Sequence, residues 1–194
     1  MPSPSYDHDE VIARLGEVFR HYGYHGASLS RITQATGLGK GSLYNAFPGG
    51  KEDMANAVLG SIDDWFSNTV FSVLEQQGDP AAAFATMFEA VRHYFHSGQR
   101  ICLMGAFAMD DSHDRFPEQI SGYFGRWCDA MAACLMRGGL KQAHAQRLAR
   151  ETLVAIQGGL VLARGLDHPD AFMEAVAHQE AKITALLSAR QRAG

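Results

Sequence analysis

A lysine set between glycines and followed by short polar and aromatic side chains is a grouping suited to phosphate. Residues 37–53 read GLGKGSLYNAFPGGKED and hold five glycines, Lys40, Lys51, Ser42, Tyr44 and Asn45. Such a stretch can cradle a nucleotide, form a plain turn, or grip the phosphates of a nucleic acid. A P-loop needs a glycine five residues before the Gly-Lys pair, but position 34 is Gln, and Gly41 follows Lys40 where Ser or Thr is required. A dinucleotide fingerprint needs a preceding strand, and none is indicated. Lys40 and Lys51 each stand at a helix start, where a lysine opposes the helix dipole. Two such placements make sense if a polyanion lies in front of both helix ends. Ser42 and Asn45 can reach base edges, the Tyr44 hydroxyl can reach a phosphate, and Ser28 and Arg31 can hold flanking backbone.

The elements that must position these residues read as helices. Val11, Leu15, Val18, Phe19 and Tyr22 recur at helical spacing up to Gly23. A second helix over 28–36 is opened by Ser28 as N-cap and closed by Gly37. A third covers 40–46 and ends before Pro48. Ile32, Ala35, Leu38, Leu43 and Phe47 can close these helices on one another, in the size and spacing of a helix-turn-helix. Such a unit presents the start of its second helix to the major groove. Longer helices are predicted over about 50–77, 80–97, 117–137, 143–165 and 170–189, with a short apolar one at 101–109. Asp79-Pro80 and Phe116-Pro117 mark two of the starts, and Gly98 and Gly138-Gly139 mark two of the stops.

The pattern GASLSRITQATGLGKGSLYNAF resembles the DNA-binding region of the TetR family of bacterial transcriptional regulators. Gly26, Ser28, Ile32, Gly37, Leu38, Lys40, Gly41, Ser42, Leu43, Tyr44, Phe47, Lys51 and Glu52 carry the match. The resemblance implies an all-α chain, with a three-helix DNA-binding domain over 1–51 and a helical effector-binding and dimerisation domain over 52–194. It also implies phosphate contacts by Lys40, Tyr44 and Lys51, with Gly41, Ser42 and Asn45 in the groove. Two departures stand out. Arg31 occupies the place of the acid that would complete a capping box with Ser28. FPGGKED is one residue longer than the commonest family spacing and resembles a subset that includes regulators of multidrug efflux genes.

Composition fits this reading. The 194 residues carry a net charge of −4, of which residues 1–51 contribute +1 and the remainder −5. That split permits an anion-binding surface on an acidic body. Three cysteines, Cys102, Cys128 and Cys134, have no C-x-x-C spacing, which argues against a disulfide framework or zinc site. The polar, acidic N-terminus is no signal peptide, and no apolar run is long enough to span a bilayer, so a cytoplasmic location is expected. Neither a cofactor, a metal site nor a catalytic residue is expected. The spacing of His21 and His25 is interrupted by glycine, DDSHD at 110–114 reads as a solvated loop, and no hydrolase, zinc-protease or kinase motif occurs.

The larger domain is rich in aromatic and methionine side chains, which line adaptable pockets as readily as they fill cores. A pocket for a small apolar or aromatic effector is expected around Cys102, Met104, Phe107, Phe124, Trp127 and Met131. A cysteine at the start of this helix recurs in some TetR-like proteins and in some reacts with electrophiles or oxidants. Arg100 nearby favours a thiolate at Cys102, so a redox- or electrophile-responsive regulator is an alternative reading. A buried, inert cysteine is the other. The family plan builds a homodimer from the last two helices, and Ile156, Leu160, Ala163, Val176, Ile183 and Leu187 are the expected interface residues. Gly158-Gly159 within a helix points to a close helix neighbour. The whole reads as a regulator, foremost a repressor, that grips a near-palindromic double-stranded operator until an effector releases it. A helical enzyme or a scaffold without DNA binding are the alternatives from other classes.

Overall fold

A computed structural model describes residues 7–191, and every regular element among them is helical. In chain order these are α1 (His8–Gly26), α2 (Leu29–Thr36), α3 (Lys40–Ala46), α4 (Lys51–Phe66), a π-helical turn (Ser67–Phe71), α5 (Ser72–Glu75), α6 (Pro80–Tyr94), a 3₁₀ turn (His96–Gly98), α7 (Leu103–Ala108), a second 3₁₀ turn (Asp111–Arg115), α8 (Pro117–Arg137), α9 (Gln142–Gly165) and α10 (Asp170–Gln191).

Local chemistry sets many of the ends. Asp7 accepts from Asp9 N and Glu10 N and starts α1. Ser28 accepts from Arg31 N and starts α2, while Gly37, at φ 72°, ends it in the left-handed conformation that glycine adopts without strain. Asp79 accepts from Ala81 N with Pro80 at the first position of α6. Gly23, at φ 68° and ψ 174°, kinks α1, and one further turn runs to Gly26. The helix expected to run unbroken over 50–77 instead widens at Ser67–Phe71. A single widened turn carries no cap or breaker residue of its own, so local sequence signals do not reveal it.

By packing the chain falls into two units. The first comprises residues up to 64 together with 103–120, and the second 65–102 together with 121 onward. In the first, Leu15, Phe19, Ile32, Leu43, Phe47, Met54 and Leu59 are buried. An aromatic group joins α1 to the 103–120 segment. The Phe107 ring lies 6.0 Å from Phe19 and 6.0 Å from Tyr24, and Phe116 lies 5.5 Å from Tyr24.

In the second unit the Trp127 ring packs near Phe66 (5.0 Å), Tyr123 (5.8 Å) and Phe71 (6.5 Å). Helices α9 and α10 pack closely. A Cβ on Gly159 would come within 3.0 Å of Phe172 Cα, so even an alanine there would push the backbone of α10 away. Thr152 Oγ1 and Gln179 Oε1 meet at 3.4 Å between these helices, and Arg92 of α6 donates to Glu180 of α10 at 2.8 Å. That carboxylate raises the Arg92 pKa against the opposing effect of burial.

Candidate nucleic-acid interface

The helix-turn-helix is fixed from α1. Arg14 Nη1 donates to the carbonyls of Ala35 (3.3 Å) and Thr36 (3.5 Å), meeting the orphan acceptors at the end of α2, and Glu10 holds the same guanidinium. Thr36 Oγ1 donates to Ile32 O and accepts from Leu38 N at 3.3 Å, which shapes the turn. Leu43 and Phe47 are buried and pin α3 from below, leaving Lys40, Gly41, Tyr44 and Asn45 exposed and Ser42 half-buried. A Cβ on Gly41 would meet nothing within 4 Å, so no protein neighbour demands glycine there.

Ser28, Tyr44 and Lys51 converge. Together with Ala27, Leu29, Ile32 and Met54 they line one hollow of about 220 Å³. Ser28 Oγ uses an acceptor lone pair on Arg31 N at 3.4 Å, which leaves its O–H to donate outward. Lys51 Nζ lies 4.6 Å from the centroid of the Tyr24 ring, and Lys40 Nζ lies 5.9 Å from that of Tyr44, one helical turn away. Burial raises the Tyr24 pKa, against the lowering effect of Arg115, and Glu52 adds a smaller upward push. Tyr24 therefore stays a neutral ring beneath a cation. Arg31 is partly committed elsewhere: Nη1 donates to Gly26 O at 2.6 Å and the guanidinium covers Tyr22 at 4.0 Å.

The Gly-Gly of FPGGKED has two distinct jobs. Gly50 is at φ 71°, and a Cβ there would sit 3.5 Å from Tyr44 Cε1. Gly49 N donates to Asp53 Oδ2 at 2.5 Å, tying the loop to the first turn of α4. A Cβ on Gly49 would lie 2.4 Å from Asp53 Oδ1, so a larger residue there pushes that carboxylate aside. Three contributors carry no motif signal: Arg14, Tyr24 and Arg115. Their roles rest on contacts with residues far along the chain, which spacing does not encode.

The other expected sites divide between the units. Met104 and Phe107 are buried in the first, Phe107 within the Tyr24 aromatic group. Cys102, Trp127 and Met131 are buried in the second, where Phe124 is half-buried with its ring 5.1 Å from Tyr123. Burial raises the thiol pKa of Cys128 and Cys134, which keeps both protonated and poorly nucleophilic.

Ile156, Leu160, Ala163, Val176, Ile183 and Leu187 are all buried within the subunit. That revises the expected interface residues, because side chains already enclosed by their own chain have no surface left for another. Helical periodicity marks an apolar stripe without saying whether it faces a core or a partner. A second apolar stripe is uncovered: Val154, Val161 and Leu162 are 70%, 60% and 55% exposed, and Leu166 follows at the end of α9. Gly158 opens to empty space on this face.

Comparison with known proteins agrees with this architecture. A family model described as "Bacterial regulatory proteins, tetR family" matches residues 13–58, and one described as "Transcriptional regulator LmrA/YxaF-like, C-terminal domain" matches residues 80–179. The chain is 24% identical over 158 residues to the HTH-type transcriptional regulator LmrA of Bacillus subtilis (strain 168), covering 79% of this chain and 84% of that protein. It is 28% identical over 163 residues to the HTH-type transcriptional repressor DhaR of Mycobacterium sp. (strain GP1), covering 78% and 79%. A similar solved fold is that of the TetR family regulator CifR, a cysteine mutant complexed with 26bp double-strand operator DNA. Its TM-score is 0.76 at 22% identity, over 93% of this chain and 98% of that one. The chain therefore belongs to the TetR family of transcriptional regulators, with an N-terminal helix-turn-helix and an LmrA/YxaF-like helical C-terminal domain.

Proposed function

We propose that the protein is a repressor that acts as a homodimer on a near-palindromic double-stranded operator and leaves it on binding a small apolar or aromatic effector. The carrying observation is the convergence of Ser28, Tyr44 and Lys51 on one hollow beside the exposed start of α3. A hydroxyl, a phenol and an ammonium around one hollow are the donors that a backbone phosphate takes. Lys40 supplies a second cation at the start of α3, while Gly41, Ser42 and Asn45 meet the groove. Ser28 and Arg31 hold flanking backbone, Arg31 with the donors that Gly26 leaves it. The reading assigns the chain no catalysis, and a DNA-binding role implies work in the cytoplasm.

The relative DhaR, named as a repressor, supports the direction of control, and CifR with its operator supports DNA as the target. The effector reading rests on the aromatic and methionine side chains, Met104, Phe107, Phe124, Trp127 and Met131 with Cys102. Among the described residues Trp127 Nε1 is buried without a hydrogen-bond partner, a donor that an effector's acceptor can take. Dimerisation rests on the uncovered stripe of α9. Footprinting across the neighbouring promoters, repeated with candidate effectors, tests the whole reading. A protected, pseudo-symmetric site that an effector abolishes supports it, and a chain that protects no site sinks it.

A further inference from the structure

Lys51 is followed at once by two acids, Glu52 and Asp53, in the first turn of α4. Acids suit a helix start, but here they neighbour the surface that must receive phosphates, well within a Debye length. Both carboxylates are engaged. Asp53 accepts from Gly49 N, and Glu52 Oε2 stands 3.5 Å from Arg115 Nη1. Arg115 also lies 5.5 Å from the centroid of Tyr24, the ring that carries Lys51 Nζ at 4.6 Å. The guanidinium thus touches both the acid next to Lys51 and the aromatic platform beneath it.

Arg115 is itself held in place. It closes the 3₁₀ turn Asp111–Arg115, whose start is capped by Asp110 on Ser112 N at 2.7 Å. Phe116 follows and packs on Tyr24 and Phe107 at 5.5 Å and 5.8 Å. One turn on, Gln119 Nε2 donates to Asn56 Oδ1 of α4 at 2.8 Å. The segment is fastened to α1 and α4 on both sides of the arginine.

We propose that Arg115 is a positioning residue for DNA binding: it neutralises Glu52 and steadies the Tyr24 platform, so that Lys51 meets a phosphate without an uncompensated carboxylate beside it. This rests on the reading of Lys51 as a phosphate contact. Arg115 and Glu52 are each about half exposed, so the effect is modest, salt-sensitive and electrostatic.

The test uses a labelled mixed-sequence duplex of about 30 base pairs at about 50 mM salt, since the phosphate contribution is independent of sequence. Arg115→Met weakens binding about threefold to fivefold, within the range of an exposed ion pair, and changes the salt slope by far less than the ~0.9 of a lost phosphate contact. Arg115→Lys restores most of the loss. Glu52→Gln tightens binding, and by a larger factor in the Arg115→Met background than in the wild type, so the double variant returns to within about twofold of wild type. A purely structural role gives no rescue by Glu52→Gln, and a direct phosphate contact removes about 0.9 from the slope. Either result overturns the proposal, as does equal binding by Arg115→Met and wild type. A wild-type chain that binds no duplex at low salt overturns the DNA reading itself. If Arg115→Met fails to fold, a Glu52→Gln variant no tighter than wild type still overturns the proposal.

Discussion

On the proposed reading Lys51, Tyr44 and Asn45 would do different work, and their substitution should separate it. A lysine that neutralises one phosphate releases about 0.9 of a counterion, so Lys51→Ala should flatten the log–log salt dependence of duplex binding by about that amount. Lys40→Ala should do the same independently, since the two ammonium groups sit over different rings, Tyr24 and Tyr44. Tyr44→Phe removes only a hydroxyl and should weaken all duplexes alike. Asn45→Ala should instead change the ranking of operator variants, with a cost of about 1–3 kcal/mol confined to the base pair it reads. Binding isotherms across salt and across single-base operator variants measure both. A Lys51→Ala protein with an unchanged slope removes Lys51 from the phosphate contacts. The types and spacing of these residues single them out in the sequence as candidates. Arg115 and Tyr24 are not singled out, because Arg115 sits in a polar DDSHDR run that looks like an ordinary loop. Only the return of residues 103–120 onto α1 gives that run a role.

The short elements around α3 turn on glycines whose reasons differ, and stability measurements should tell them apart. Gly41 has open space where a Cβ would stand, and alanine is the better helix former by about 1 kcal/mol. Gly41→Ala should therefore hold or raise the melting temperature while weakening DNA binding. Gly49→Ala should do the reverse of the first effect. Its Cβ would push the Asp53 carboxylate aside and cost its hydrogen bond to Gly49 N, a loss of about 1 kcal/mol. Thermal unfolding followed by circular dichroism decides, and two equal melting temperatures would refute the distinction. Most helix boundaries could be read beforehand because they rest on local chemistry: Ser28, Gly37 and Asp79-Pro80 act on their own neighbours. The π-helical turn at Ser67–Phe71 and the 3₁₀ turn at Asp111–Arg115 could not, since each depends on what packs against it. The Gly158-Gly159 pair is an intermediate case. The sequence indicated a close neighbour, and the structure assigns that neighbour to Gly159 alone, as α10 of the same chain.

At the scale of the whole molecule, the two apolar stripes of α9 make opposite predictions for the same chemistry. Ile156 is fully buried, so Ile156→Ala should cost about 2–5 kcal/mol of subunit stability while any protein that remains folded still associates. Val161 is 60% exposed, and Val161→Arg should leave subunit packing intact. On the uncovered face, however, it would set two like charges near each other across a two-fold contact, because a symmetric interface presents the same patch twice. Ala177, Ala181 and Ala185 recur every fourth residue on the exposed side of α10, which leaves room for a second helix pair to approach. Val161→Arg should therefore give a monomeric mass by light scattering at micromolar concentration with an unchanged melting profile of the helices. Its operator affinity should fall far more than a surface charge alone explains. Joining two reading heads makes the second contact intramolecular, and losing that linkage forfeits a factor of about 10² or more. Non-specific duplex binding per subunit should change little, since Lys40, Tyr44 and Lys51 are untouched. A Val161→Arg chain that stays dimeric would move the interface away from this stripe, and a monomeric one that keeps wild-type operator affinity would show that DNA binding does not depend on pairing two half-sites.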